Sequence, residues 1–393
     1  MRRPLARLAV PFLLLAISLA GCSLGDEETQ PPQPSIVGEV RTVETLGFSS
    51  NATRNTVRVG GSDATADAAG VAGALFPATA EEDRPAAVAL VDRADWVTGI
   101  AASLLAGPPI QAPLLVSDGD ELSAVTEEML ERLDPKGSDL SKGAQVIRVG
   151  PDVARPDGFK TAVVAGDDPF ERAAAIDRFF SAARGRPSND VVLYSSESAE
   201  WAMPAAAWAA RSGDAVLPVE TSSIPGPIRE ALAAHERPNV YLLGPRDVIS
   251  GKVAELLESE GLARSVERID GPTAVENAIA FARYEKGDFG WGVVVPGYNF
   301  SVANIARPLD AAAAASLATR GVFAPLLLTD EPEELPEPLE QYFLSVQPGY
   351  EEDPGEAVYN RAWILGDEHA ISVGQQAQID RITELIPVRA DVP

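Results

Sequence analysis

Cysteine and clustered positive charge are both scarce in this chain of 393 residues. It has one cysteine, Cys22, and a formal net charge of −26 at pH 7. A single cysteine excludes an internal disulfide and a cysteine-rich metal site. Phosphates of nucleic acids are bound by clustered Lys and Arg, so this charge balance argues against DNA or RNA as a partner. Hydrophobic residues make up 46% of the chain, which is enough apolar material to form buried cores.

Motifs that carry catalysis are also missing. The chain contains no GxSxG nucleophile elbow, no P-loop, no GxGxxG and no HExxH. Its two histidines, His235 and His369, lie far apart in the sequence, and we interpret both as surface residues of a helix or loop. The sequence therefore predicts no catalytic residue, no metal site and no cofactor.

The first 21 residues have the pattern of a secretory signal. Three arginines precede LAVPFLLLAISLA, an apolar segment of 13 residues that is too short to span a bilayer. It ends in LAGC, which resembles a bacterial lipobox and predicts signal cleavage between Gly21 and Cys22, with a lipid such as palmitate on Cys22. The alternative is an ordinary signal peptide followed by a chance cysteine.

A lipid on Cys22 predicts where the protein resides. Acyl chains would hold it at the outer face of the cell membrane, so we expect an extracytoplasmic protein of the bacterial cell envelope. The segment after Cys22 is polar and rich in proline, which is typical of an extended tether. We therefore assign residues 1–21 to a lipoprotein signal peptide and residues 22–56 to the lipidated cysteine and its tether.

The rest of the chain can be divided into three copies of one unit. Gly61, Gly166 and Gly271 each follow a short apolar strand and are 105 residues apart in both intervals. A period of this length indicates tandem domains rather than a solenoid. The predicted domains are unit 1 (57–162), unit 2 (163–267) and unit 3 (268–393).

Each unit contains the same order of predicted elements. After the opening strand and its glycine come an alanine-rich helix and then a β-rich run, and we place the three β-rich runs at 86–96, 190–201 and 291–300. A helix of small residues follows, predicted in the third unit to begin at SVAN (301–304), and then a strand typified by APLLVSDGDEL (112–122). Apolar strands separated by helices indicate parallel sheets covered on both faces. The expected fold class is α/β, with three tandem βαβ-type parallel-sheet domains.

The motifs of the third unit resemble those of a known family. They include Arg268, Gly271, Asn299-Phe300, the strand 325–329 and the closing segments Ile364-Leu365-Gly366 and Ile371-Ser372. This series resembles the cell wall-binding repeat 2 family. The resemblance implies three units packed around a pseudo-threefold axis, and noncovalent binding of an anionic cell-wall polymer.

Candidate polymer-binding residues follow from the ends of the predicted strands. Trp96, Trp201 and Phe300 are expected at the C-terminal ends of strands, where open α/β sheets bind their ligands and where aromatic rings could stack on sugars. The alternative is that these rings fill the junctions between units. Asn299 belongs to the same family motif as Phe300. Two further candidates, which could meet a polyanion, are Arg93 and Arg246.

The acids after the repeated strand could have two roles. Asp118, Asp120 and Glu121 could bind a hard cation such as Ca²⁺, but they lack the ligand spacing of an EF-hand. The middle unit has Glu220-Thr221-Ser222-Ser223 at this place. We therefore interpret this segment as the cap and first turn of the following helix.

The leading hypothesis is a lipid-anchored, non-catalytic cell-envelope protein that binds a cell-wall polymer. A first alternative is an extracytoplasmic solute-binding lipoprotein with its ligand in an inter-domain cleft. A second alternative is an envelope glycan hydrolase, which the missing catalytic motifs disfavour.

Overall fold

The computed structural model describes residues 48–319 and 323–388, and the predicted signal peptide and Cys22 lie outside the described residues. The strands are β1 (Phe48–Ala52), β2 (Thr56–Gly61), β3 (Val88–Asp92), β4 (Leu114–Ser117), β5 (Val146–Val149), β6 (Thr161–Val164), β7 (Asp190–Ser195), β8 (Ala215–Val219), β9 (Asn239–Leu243), β10 (Ser265–Ile269), β11 (Glu285–Lys286), β12 (Phe289–Gly290), β13 (Asn299–Asn304), β14 (Phe323–Thr329), β15 (Gly349–Tyr350), β16 (Arg361–Leu365) and β17 (Ile386–Pro387).

Helices connect these strands throughout the described ranges. They are α1 (Ala64–Leu75), α2 (Trp96–Ala102), α3 (Ala124–Leu133), α4 (Pro169–Arg184), α5 (Ala199–Ala202), α6 (Pro204–Ser212), α7 (Gly226–Ala234), α8 (Gly251–Ser259), α9 (Ala274–Arg283), α10 (Leu309–Ala314), α11 (Glu337–Ser345) and α12 (Val373–Ile382). Short 3₁₀ turns continue α2 over Ser103–Ala106 and α10 over Ala315–Thr319. None of the helices in the described part of the chain has both the length and the apolar character needed to cross a bilayer.

Three sheets with one topology form the framework. Their strand orders are β4-β3-β5-β6, β8-β7-β9-β10 and β14-β13-β16-β2, with β1 added to β2 as an antiparallel edge. All other pairs within these sheets are parallel. The predicted α/β fold of tandem parallel-sheet units is confirmed. The apolar runs form central strands because helices cover both faces, as in β3, where Val88 to Val91 are each 1% exposed or less.

The sheets are out of phase with the sequence repeats by one strand. β6 precedes the glycine of unit 2 but pairs with β5, and β10 precedes the glycine of unit 3 but pairs with β9. β2, from the start of unit 1, pairs with β16 near the end of unit 3. Each unit thus gives its first strand to the sheet of the preceding unit, and the two ends of the described chain meet in one sheet.

The second strand of unit 3 lies later than the sequence predicts. We expected it at 291–300, but residues 291–298 belong to no strand and β13 consists of Asn299–Asn304. The three valines that suggested a strand differ in burial: Val293 is buried, while Val294 and Val295 are 59% and 53% exposed. A proline and a glycine with φ of +112° then interrupt the backbone before β13. The prediction that SVAN begins a helix is therefore wrong.

Small-residue helices of the three units pack against one another. α2, α6 and α10, one from each unit, all contact one another. Close approach requires small side chains here, because a Cβ at Gly99 on α2 would overlap Leu309 on α10.

The first helices of the units link them in cyclic order. α4 of unit 2 packs on α2 of unit 1, α9 of unit 3 packs on α5 of unit 2, and α1 of unit 1 packs on α10 of unit 3. The same kind of contact thus recurs at all three junctions. Such a closed, head-to-tail ring is the arrangement that pseudo-threefold packing requires.

Candidate functional site

A groove lies at the junction of units 1 and 3, where several parallel strands end. The loops after β2, β3 and β13 surround a cavity of about 280 Å³. An adjoining cavity of about 270 Å³ extends it over the loop after β4. We call the two together the junction groove, and its polar and aromatic lining includes Ser62, Asp63, Thr65, Arg93, Trp96, Asp118 and Arg307. Open α/β sheets bind ligands at this edge, which makes the groove the candidate site.

Two of the predicted binding residues meet in this groove. Trp96 is the first residue of α2, which begins there because the Asp95 carboxylate accepts a hydrogen bond from the Thr98 backbone N–H at 2.9 Å. Arg93 lies in the preceding loop and is exposed, with Nη1 3.3 Å from Asp118 Oδ2. An ion pair this exposed is weak, so the guanidinium is available to a ligand.

The other predicted residues lie elsewhere. Trp201 on α5 follows β7 and is half-buried beside Gly244, which follows β9. Exposed Arg246 comes two residues after Gly244, so both side chains lie at the corresponding edge of unit 2. Asn299 begins β13, and Phe300 is 1% exposed in the core, with its ring centroid 5.3 Å from that of Phe343. The prediction that Phe300 lies at the C-terminal end of a strand is therefore wrong, because the strand begins where it was expected to end.

The floor of the groove contains a buried charge cluster that the sequence did not reveal. Arg307 pairs with Asp67 and with Asp310, whose Oδ2 is 2.8 Å from Arg307 Nε. Both carboxylates are 0% exposed. Burial raises the pKa of Asp67 well above its usual range, and the Asp310 charge adds to this rise while Arg307 opposes it. Burial likewise raises the pKa of Asp310 to about 6.

The cluster has counterparts at the other two junctions. Asp67, Arg172 and Asn277 are 105 residues apart in sequence and lie on α1, α4 and α9. Arg172 pairs with Asp95, so the charges are exchanged relative to the Asp67–Arg307 pair. Asn277 is 0% exposed, and neither atom of its amide has a hydrogen-bond partner among the described residues. The same position thus carries an acid, a base and an amide in turn.

A second buried arginine joins the ends of the described chain. Arg58 on β2 is 1% exposed and donates hydrogen bonds to the backbone carbonyls of Gly366 at 2.8 Å, Asp367 at 2.8 Å and Ile371 at 2.6 Å. Burial lowers the pKa of Arg58 from its ordinary value, and nearby acids, Glu368 first, oppose this shift. Its role is structural, because its donors are directed to the protein's own backbone and, through Nε, to Gln376 Oε1 at 2.9 Å.

The acids after β4 form a turn rather than a helix cap. Asp118 and Glu121 exchange two backbone hydrogen bonds around Gly119, whose φ is +60°. Ser123 caps α3 instead, since its hydroxyl accepts from the Thr126 N–H at 3.2 Å. The capping role that we assigned to these acids is wrong, whereas the side chain of Asp118 does line the junction groove. Within 48–319 and 323–388, no three His, Cys, Asp or Glu side chains are grouped as a metal site.

The two histidines differ in burial. The His369 side chain is 95% exposed, as predicted, but His235 is 6% exposed, so its predicted surface position is wrong. His235 Nε2 lies 2.9 Å from Asp177 Oδ2, and Nδ1 lies 2.8 Å from the Ser188 carbonyl oxygen. Both ring nitrogens therefore face acceptors, which favours an imidazolium and leaves no lone pair to serve as a general base.

Comparisons with known proteins identify similar folds. No family model and no curated protein matches the chain. Among solved structures, Cwp8 from Clostridium difficile matches with a TM-score of 0.63 and 20% sequence identity over 84% of this chain. Cwp6 from Clostridium difficile matches with a TM-score of 0.63 and 16% identity over 85% of it. The match spans 52% of the Cwp8 chain and 48% of the Cwp6 chain, about half of each.

Proposed function

We propose that this chain is a lipid-anchored, non-catalytic protein of the bacterial cell envelope that binds a cell-wall polymer noncovalently. The observation that carries the proposal is the shared fold with Cwp8 and Cwp6, which are cell wall proteins and whose matches cover 84% and 85% of this chain. The family resemblance of the sequence motifs supports the same role.

The junction groove provides the chemistry for such binding. The Trp96 ring lines a concave surface and can stack on a sugar ring, while Arg93 supplies an exposed positive charge. Arg307 is paired with two buried carboxylates, so it stabilises the floor of the groove rather than binding the ligand. Trp201 and Arg246 supply a second aromatic side chain and positive charge at the corresponding edge of unit 2.

Sedimentation with purified cell wall tests polymer binding. We expect the chain without its first 22 residues to co-sediment with intact wall and to remain in solution with wall stripped of its anionic polymers. Arg93→Gln combined with Trp96→Ala should reduce the bound fraction at least about tenfold, since it removes both a charge and a stacking surface. The matched control is Arg178→Gln, an exposed arginine on α4, which should bind as the parent does. Equal binding by all variants would contradict the site, and no binding by the parent would contradict the function.

Membrane fractionation tests the anchor separately. Full-length protein should fractionate with membranes, and Cys22→Ser should release it, because the acyl chains on Cys22 would be lost. Retention of the serine variant in the membrane fraction would contradict lipidation at this residue. Mass spectrometry of the mature N-terminus identifies the cleavage site next to Gly21.

A further inference from the structure

A second cavity lies at the opposite edge of the sheets, between unit 2 and an insertion of unit 3. It has a volume of about 570 Å³ and adjoins the N-terminal ends of β7 and β8. Unit 2 contributes Arg184, Arg186 and Arg211, and unit 3 contributes Trp291 and Tyr298. We call it the 2–3 cavity. It shares no residue with the junction groove.

The wall supplied by unit 3 is specific to that unit. Its hairpin of β11 and β12 follows α9, whereas α1 and α4 lead to the next strand without one. Phe289 of the hairpin stacks on Tyr241 of β9 with centroids 3.4 Å apart, and it meets the Trp208 ring edge-on at 4.8 Å. Trp291 meets Trp208 in the same way at 5.3 Å. These ring contacts hold the insertion against sheet β8-β7-β9-β10, so the cavity is preformed.

Unused hydrogen-bond donors line this cavity. Arg186 and Arg211 are exposed, and neither has a carboxylate within ion-pair distance in the described part of the chain. The indole Nε1–H of Trp291 is buried, yet it finds no acceptor among the described residues. A buried donor without an acceptor is costly and is normally satisfied by water or a ligand. Together these groups suit an anionic group on a ligand.

The cavity also contains acceptors and aromatic surface. Asp190 accepts from Asn239 Nδ2 at 3.0 Å, and Asp214 accepts from Trp208 Nε1 at 3.2 Å, and each carboxylate has lone pairs left for a hydroxyl donor. The rings of Trp291 and Tyr298 offer apolar faces to a ring-shaped ligand. Guanidinium donors, carboxylate acceptors and aromatic faces in one cavity match a hydroxylated ring that bears a negative charge.

We propose that the 2–3 cavity binds an anionic monosaccharide, a hexose carrying a phosphate or a carboxylate. Arg186 and Arg211 bind the anionic group, and Asp190 and Asp214 accept hydrogen bonds from the sugar hydroxyls. The ring of Tyr298 packs against the sugar ring, and Trp291 donates its in-plane Nε1–H to a ligand oxygen. The volume lies in the usual range for small-molecule sites, roughly 300–1,000 Å³. The site lies in a cleft between units 2 and 3, which suits a small solute. Because it shares no residue with the junction groove, this proposal does not depend on polymer binding there.

Calorimetric titration of the full chain with defined sugars tests this assignment. We expect saturable binding of glucose 1-phosphate or glucuronate. Glucose, which lacks the anionic group, and inorganic phosphate, which lacks the sugar ring, should each bind at least about tenfold more weakly. Comparison of the affinities for glucose 1-phosphate and glucuronate shows whether the site prefers a phosphate or a carboxylate. Failure of both charged sugars to bind overturns the proposal.

Two variants and a control locate the binding. Arg186→Gln combined with Arg211→Gln should weaken binding at least about tenfold, and Trp291→Phe, which keeps a ring but loses the donor, should weaken it about threefold or more. Arg178→Gln, on α4 but outside the cavity lining, should bind as the parent does. Undiminished binding by the double variant overturns the site. The Arg93→Gln, Trp96→Ala chain should retain sugar binding, which separates this result from the outcome of the cell-wall experiment.

Discussion

Arg172 on α4 donates a hydrogen bond to Asp95 at the start of α2, with 2.6 Å between Nη1 and Oδ2, and this ion pair joins unit 2 to unit 1. The equivalent pair between units 1 and 3, Asp67 with Arg307, has the acid and the base exchanged. Units arranged in another order would place like charges together at a buried junction, which costs several kcal/mol. We infer that these pairs specify the order of the units as well as joining them.

Removing one partner of the Arg172 pair should destabilise the fold. We expect Arg172→Gln to lower the free energy of unfolding by about 2 kcal/mol, because Asp95 remains largely buried without its guanidinium. Urea unfolding followed by circular dichroism measures the change. Arg178→Gln, on the exposed side of the same helix, should stay within about 0.5 kcal/mol of the parent. Equal losses of unfolding free energy in Arg172→Gln and Arg178→Gln would show that the Arg172–Asp95 pair does not stabilise the fold.

The buried acids under the junction groove should make stability depend on pH. The folded pKa of Asp310 is about 6, against an ordinary value of 3.8, so the folded state binds a proton that the unfolded state has released between these values. Stability should therefore fall as the pH rises from about 4 to about 6, by up to about 1.4 kcal/mol per pH unit for one proton.

Asp310→Asn tests this origin of the pH dependence. The variant removes the titrating group while Arg307 keeps its pair with Asp67, so the loss of stability between about pH 4 and 6 should be smaller than in the parent. Urea unfolding across this range gives the slopes. Asp330→Asn removes an exposed acid and should leave the slope unchanged. Identical slopes in the parent and Asp310→Asn would assign the dependence to other groups.

The His235–Asp177 pair should also make stability fall as the pH rises, but in a higher range, above about pH 6.5. Burial works to lower the pKa of His235, but the hydrogen bond and charge of Asp177 outweigh it, so the pKa is raised above 6.5. Its contribution to stability is then fully present below pH 6.5 and is lost as the pH rises through the folded pKa. His235→Gln should cost most at low pH, and the cost should shrink above neutrality. His369→Gln, which changes an exposed histidine, should show no such trend in the same unfolding series.

Closure of the ring by β2 should depend on Arg58. We expect Arg58→Met to lower the free energy of unfolding by roughly 3 kcal/mol, because three or more buried carbonyls lose a charged donor. Hydrogen exchange should show the greatest loss of protection in β2 and β16, which pair with each other. Arg155→Met, at an exposed position, is the control. Uniform loss of protection over all three sheets would mean that β2 does not open separately.

Much of the fold was predictable because strand burial and unit length leave direct traces in a sequence. Apolar runs such as that in β3 predicted parallel strands, and the 105-residue spacing of glycines predicted three like units. The second strand of unit 3 was misplaced because three consecutive valines imitate a strand locally, and only the pairing of β13 with β14 and β16 shows which segment enters the sheet. That error also misplaced Phe300.

The candidate site was predictable only in part. Arg93 and Trp96 were predicted at strand ends, and both line the junction groove, whereas their role in binding stays a prediction. Asp67, Arg172 and Asn277 also keep the 105-residue spacing. They were not predicted from the sequence, because an acid, a base and an amide at equivalent positions do not form a recognisable motif. The ion-pair partners of Asp67 and Arg172 come from loops of other units, so these pairs depend on distances that no local sequence window contains.

By itself, the sequence determined the α/β class, the threefold repetition and most strands, since these follow from local apolar patterns and their spacing. Only the tertiary structure decided that each unit lends its first strand to its neighbour, that β2 closes the ring against β16, and that the insertion of unit 3 covers a cavity of unit 2. The physical reason is that strand pairing and burial of charge are set by contacts between segments separated in the sequence, by as much as the 308 residues between Arg58 and Gly366.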